Sequence, residues 1–303
     1  MPIAPSPAVK RACELLDVLR RHPAEAFSVS ELGRRVGAPR ATCDSILQAL
    51  AGQGLVTRRD SDLRYELGPA CLALGDAARS ARPGLDAACT ETELLARSTG
   101  AVAAVTVRDG TEVRVLQVFD FGPPIGLRTR PGQAVPLVPP FGAVFVAWAE
   151  ADAADWIARG RAALRDDELR RYVRALAAVR RRGYSITVAT RSGTPDLAVA
   201  LEAMHSGRDA DGARRARDEA VRRLMHSEYL PADVEGSPAV RLSQLSAPVF
   251  DGDGRVVAAV MLLGPEHDVT DVEISSLGDM VRAAARRATE RAAGRIPTRT
   301  APT

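Results

Sequence analysis

Phe27-Ser-Val-Ser-Glu-Leu-Gly-Arg-Arg-Val-Gly-Ala-Pro-Arg-Ala-Thr-Cys-Asp-Ser-Ile-Leu-Gln-Ala-Leu50 reads as two short helices joined by a tight turn. Ser28 and Glu31 have the spacing of a capping box, in which each side chain satisfies the other residue's backbone N–H and fixes where the first helix starts. Phe27 before the cap and Leu32 four positions after it are placed as a hydrophobic staple. Leu32 and Val36, one turn apart, give that helix its apolar stripe. Gly37 suits the left-handed conformation that ends a helix, and Pro39 suits the first position of the next.

On the second helix Cys43, Ile46, Leu47 and Leu50 share one face. Ala41, Asp44, Ser45 and Gln48 point the other way, with Arg40 and Thr42 at the N-terminal end. Small residues permit close approach to a surface, while Arg, Thr, Ser and Gln supply donors and acceptors for phosphates or base edges. This is the pattern of a helix-turn-helix whose second helix enters the major groove, although an ordinary helical hairpin with a solvated face shares the apolar spacing. The next stretch favours DNA. Gly54-Leu-Val-Thr-Arg-Arg-Asp-Ser-Asp-Leu-Arg-Tyr-Glu-Leu-Gly68 reads as two strands around an Asp-Ser-Asp turn, with Arg58, Arg59 and Arg64 near the tip. A hairpin directly after the second helix makes the motif a winged helix, with arginines placed for backbone phosphates.

Residues 8–80 resemble the DNA-binding half of the IclR (isocitrate lyase regulator) family of bacterial transcription factors. The segments that carry the resemblance are Ala8 to Leu19, Ser30-Glu-Leu-Gly-Arg-Arg-Val-Gly37, Ala38-Pro-Arg-Ala-Thr42, Gln53-Gly-Leu-Val56, Tyr65-Glu-Leu-Gly-Pro69 and Leu72-Ala-Leu-Gly75. Asp44 and Ser45 depart from it, standing where the family commonly has a basic or imidazole-bearing pair. A carboxylate there either accepts from a cytosine amino group or lowers affinity by repelling phosphate, so relatives do not supply the operator sequence.

A chain of 303 residues, 46% hydrophobic and 26% charged, has the composition of a soluble globular protein with room for two cores. The net charge of +3 is concentrated: residues 1–82 hold 12 basic and 9 acidic side chains, while the rest is balanced. No apolar run reaches membrane-spanning length and no signal peptide opens the sequence, so a cytoplasmic protein is expected. Cys13, Cys43, Cys71 and Cys89 form no C-x-x-C pair and read as small apolar residues. His22, His205, His226 and His267 lack metal-ligand spacing, so neither a metal nor another cofactor is expected. G-x-S-x-G, P-loop and Rossmann motifs are missing, and nothing in the sequence supports an enzyme.

After an amphipathic opening helix and the winged helix (1–68), a helix over Pro69 to Ser80 reads as a linker, and Arg82-Pro-Gly84 as a break (69–84). From 85 to 292 the order is helix over Leu85 to Ser98, a hairpin at Asp109-Gly110, strands at Ile125 to Arg128 and Ala134 to Leu137, and an apolar helix over Phe141 to Trp148. Helices at Asp152 to Arg159 and Asp166 to Arg182, a strand at Tyr184 to Ala189, a hairpin around Asp251 to Gly254 and a helix from Val272 to Ala292 complete it. Residues 293–303 read as a loose tail. The fold class is α+β: a winged helix-turn-helix followed by a GAF/PAS-like effector-binding domain with one curved antiparallel sheet. Pro136-Leu-Val-Pro-Pro-Phe-Gly142, Arg182-Gly-Tyr184, Ala247-Pro-Val-Phe-Asp251 and Val260 to Pro265 continue the resemblance.

That resemblance implies an effector held by Val138, Pro139, Phe141 and Gly142 with Gln244, Ser246, Met261 and Leu263. The family often has a cysteine in place of Gln244 and serines in place of Met261 and Leu263, so a larger, mostly apolar effector is expected here. Between Tyr184 and Pro248 the chain exceeds the family pattern by about 40 residues, an insertion near 191–238 that contains a helix-like run from Ser206 to Tyr229. The resemblance further implies a homodimer or tetramer on a pseudo-palindromic operator in double-stranded DNA. An alternative is a DNA-binding protein whose second domain only oligomerises and senses no ligand.

Overall fold

The computed structural model describes residues 6–123, 129–161, 164–189, 219, 221–223 and 228–297. The chain divides into two compact units, the first ending at Ala81 and the second opening at Arg82. In the first, α1 (Pro7–Arg21), α2 (Val29–Val36) and α3 (Arg40–Gly52) are followed by the antiparallel pair β1 (Val56–Arg58) and β2 (Tyr65–Leu67) and then by α4 (Ala70–Ser80). Leu15, Leu19, Phe27, Leu32, Cys43, Leu47, Val56 and Tyr65 form one buried cluster, so every element before α4 donates to a single core. Both halves of the Ser28–Glu31 capping box form, and Gly37 closes α2 at φ 63°. Pro39 lies one residue outside α3, at its N-cap, instead of at its first turn. Its φ of −57° with an extended ψ of 142° still aims the chain into the helix. Helix α4 buries none of its residues.

The second unit is one antiparallel sheet with helices on both faces. α5 (Pro83–Thr99) leads into β3 (Val102–Asp109) and β4 (Glu112–Asp120), which turn at Gly110 with φ 59°. β5 (Ala134–Pro136), α6 (Ala143–Val146), α7 (Glu150–Gly160), α8 (Asp166–Arg182), β6 (Ser185–Ala189), β7 (Glu228–Tyr229), β8 (Val240–Phe250), β9 (Val256–Leu263), β10 (Asp268–Val269) and α9 (Asp271–Arg291) follow. The curved sheet runs β5-β4-β3-β9-β8-β6-β7, with β10 added to β8.

Two clusters cover the two faces. On one, Val105, Ile186, Leu245, Ala247, Val249, Val260 and Leu262 pack beneath Ala88, Leu95 and Ala96 of α5 and Ile274, Val281 and Ala285 of α9. Glu91 of α5 is fully buried there, and Arg287 and Arg291 of α9 reach its carboxylate at 2.7 and 3.2 Å. On the other face Val113 and Ala259 pack with Phe141, Val144, Trp156, Tyr172 and Leu176 at one end of the sheet.

Several expectations need correction. The Pro83-Gly84 break is the start of α5: proline occupies its first turn, and a Cβ on Gly84 would meet Val257 at 2.9 Å. The apolar run from Phe141 to Trp148 holds only the four-residue α6, because Gly142 at φ 76° interrupts the helical path. Glu228 and Tyr229, expected at the end of a helix, form β7 beside Val188 and Ala189. The rest of the Ser206 to Tyr229 run lies largely outside the described residues, as do most of the 191–238 insertion and the strand expected at Ile125 to Arg128. Residues 293–297, expected to be loose, fold back: Gly294 N–H donates to Thr289 and Arg295 N–H to Asp251.

Candidate functional site

The DNA-facing candidate is built on α3. Cys43 and Leu47 anchor its inner face, and burial pushes the Cys43 thiol pKa up, so that group is a packing residue. Arg40, Ala41, Ser45 and Gln48 are exposed on the outer side, while Thr42 and Asp44 are half-buried. The Gln48 amide donates to the Asp44 carboxylate at 3.0 Å. The carboxylate that departs from the family pattern is therefore tied to its neighbour one turn on. Together the two offer an acceptor and an amide in fixed relation, suited to base edges.

The three wing arginines have different surroundings. Arg58 is exposed and lies over the Tyr65 ring at 5.9 Å. Arg59 pairs with Asp62 through two contacts of 2.8 and 3.3 Å across the turn. Arg64 turns inward, donating to the Ala26 carbonyl at 2.8 Å and pairing with Glu31 at 3.1 Å. The backbone N–H of Ser28, its hydroxyl and then Arg64 together hold the Glu31 carboxyl below the usual carboxylate range. Arg64 thus clasps the wing to the start of α2, a role that its place in the sequence did not reveal.

The second candidate is the inner face of the curved sheet, away from α5 and α9. Strand register sets three cross-strand rows. Thr106 stands beside Ala259, which stands beside Pro248. The next row runs Ala104, Met261, Ser246 and Ser185, and the last Leu263, Gln244 and Thr187. Paired residues project to the same side of a sheet, so Gln244, Ser246, Met261 and Leu263 share one patch. Val138, Pro139, Phe141 and Gly142 belong to the turn before α6, and α6 packs on β8 and β9. Within that turn Phe141 is buried and its carbonyl accepts from Trp156 Nε1 at 2.7 Å. Pro139 packs against Gly160, and Gly142 against Val113 and Leu137. These residues close one end of the inner face by packing on α7 and β4.

Three polar residues of this face escaped the sequence reading: Thr106, Ser185 and Thr187. The signal was the alternation Ser185-Ile-Thr-Val188, in which Ile186 and Val188 enter the α5/α9 core and so send Ser185 and Thr187 the other way. Exposures of 5% for Thr106, 5% for Ser185, 3% for Thr187 and 5% for Ser246 make the face polar yet buried. Ser185 donates to the Ser246 carbonyl at 3.3 Å. Thr106, Thr187 and Ser246 contribute buried residues with hydroxyls to this face, and Gln244, half-buried, contributes an amide. Hydroxyls and an amide gathered around the apolar Met261 are the chemistry of a ligand face.

Fold and surfaces together define a winged-helix DNA-binding unit joined to an α+β unit with a concave, polar-lined sheet. Residues 8–60 match the IclR helix-turn-helix domain. An HTH-type transcriptional regulator of Mycobacterium tuberculosis is 48% identical over 61 residues, a match that spans 20% of this chain and 23% of that protein. An IclR transcriptional regulator from Alicyclobacillus acidocaldarius has the same fold with a TM-score of 0.62 at 20% identity, over 95% of this chain and 100% of that one. An IclR homologue from Microbacterium hydrocarbonoxydans, solved in complex with 4-hydroxybenzoate, aligns with a TM-score of 0.58 at 16% identity, over 94% of this chain and 98% of that one. No described helix is long and apolar enough to cross a membrane.

Proposed function

We propose that this chain is a cytoplasmic, ligand-responsive regulator. It binds a pseudo-palindromic operator as a homodimer, or a pair of dimers, and a small effector on the inner face of its second unit changes its operator affinity. The observation that carries the reading is the pairing of an outward α3 face, bearing Arg40, Ala41, Ser45 and Gln48, with the inward polar rows of Thr106, Ser185, Thr187 and Ser246 on the sheet. Thr42, Asp44 and Gln48 read bases, while Arg40, Arg58 and Arg59 hold phosphates. The exposed Arg59–Asp62 pair is worth at most about 1 kcal/mol, so a phosphate can displace it. Effector and DNA are coupled only if the effector has different affinities for DNA-competent and incompetent arrangements. The polar rows narrow the expectation of a mostly apolar effector to one with an apolar body and hydrogen-bonding groups.

Fluorescence anisotropy with DNA flanking the protein's own gene, against scrambled DNA at two salt concentrations, tests the reading. Specific binding that survives scrambled competitor is expected, and 4-hydroxybenzoate is a rational first effector probe because a neighbour of the same fold is solved with it. Equal, steeply salt-dependent binding to both DNAs would reduce the interaction to phosphate contacts. Specific DNA binding with no effector response across a broad panel would leave the second unit as an oligomerisation module.

A further inference from the structure

Resting on the effector reading above, we infer that the inner face recognises an uncharged ligand, a carboxamide or alcohol in place of a carboxylate. The three cross-strand rows present hydroxyls, one amide and aliphatic side chains, and none of their residues is charged. A carboxylate buried against Thr106, Thr187, Ser246 and Gln244 would lose its hydration and meet no cation in these rows. A neutral amide or hydroxyl loses far less on the same transfer and finds matching partners.

The arrangement also fixes where the ligand's polar group goes. Thr187 and Gln244 are cross-strand neighbours, and Ser246 lies two residues along β8 on the same face, with Met261 beside it. Hydroxyls can donate or accept, and Gln244 does both through one planar group. A carboxamide, itself both donor and acceptor, fits this trio where a carboxylate offers acceptors alone. Met261 supplies a flexible apolar floor for the ligand's body, since its unbranched thioether adapts to flat or irregular shapes.

Matched acid and amide pairs test this: phenylacetate with phenylacetamide, and hexanoate with hexanamide, with benzyl alcohol and hexanol as the hydroxyl members. Affinities would be measured by ligand-observed NMR on the full-length chain. The amides and alcohols are expected to bind at least ten-fold tighter than the acids. Thr187→Val and Ser246→Ala should each weaken them several-fold, while Thr187→Ser retains binding. Melting curves of each variant separate a lost contact from a lost fold, and the serine variant keeps the test valid if the valine variant unfolds. Acids that bind as well as or better than their amides, and lose affinity in the same variants, would overturn the neutral-ligand inference and leave the site standing. No binding by any member of either series would remove the inner face as a ligand site, and the effector reading with it.

Discussion

At the scale of single residues the wing arginines show how position and role separate. All three sit near the tip of one hairpin, yet Arg64 is spent on Ala26 and Glu31, while Arg58 stays exposed. Arg64→Ala should therefore lower the melting temperature of the winged-helix unit, with a cost of about 1–2 kcal/mol for a charge-assisted contact. It should leave the salt dependence of DNA binding nearly unchanged. Arg58→Ala should do the reverse, leaving the melting curve in place and reducing the salt slope by about one. Paired melting and salt titrations check both. Glu31 adds a pH signature. Its folded-state pKa is depressed by Ser28 and Arg64, so its stabilising contribution is present above the ordinary carboxylate pKa and lost as pH falls through the folded value. Glu31→Gln should flatten the acid limb of stability below the ordinary carboxylate range while lowering stability at pH 7, read by denaturant melts from neutral to acid pH.

At the scale of elements, legibility followed local chemistry. The capping box, Gly37 and the Cys43/Leu47 stripe placed α2 and α3 from sequence, because each signal acts within one turn of helix. The same holds for Asp109-Gly110, where a left-handed glycine closes β3–β4. The turn before α6 was misread because its apolar run continues past a residue that cannot be helical in this fold. Gly142 sits at φ 76°, and a Cβ there would run into Leu137 and meet Val113 at 2.7 Å. Gly142→Ala should cost about 2–4 kcal/mol, combining left-handed strain with overpacking. Differential scanning calorimetry should show the loss in the transition of the second unit while that of the first stays in place. The polar face was half legible: family spacing gave Gln244 and Ser246, but Thr106, Ser185 and Thr187 join them only through strand register. Pairing across some sixty residues of chain leaves no mark in any local window.

At the scale of the whole molecule, what the first unit leaves uncovered bears on the homodimer proposed above. Helix α4 buries nothing, and Leu72 and Leu74 are 74% and 60% exposed, while Val9 on α1 is 62% exposed. Isolated exposed apolar side chains are ordinary, but an eleven-residue helix with no buried residue gains little from its own unit. A second copy packed on α4 supplies the missing burial, about 1.5–3 kcal/mol for a leucine fully removed from water. A pseudo-palindromic site requires two α3 helices related by two-fold symmetry, which the proposed homodimer supplies. Leu72→Lys with Leu74→Lys should therefore shift the chain toward monomer in sedimentation-velocity experiments without moving its melting curve at low concentration. The same variant should lose operator affinity by far more than any single phosphate contact, because two half-sites bound by unlinked heads forfeit the effective concentration that a dimer provides. A variant that stays dimeric and keeps its operator affinity would assign α4 a different partner and move the dimer contact elsewhere on the chain.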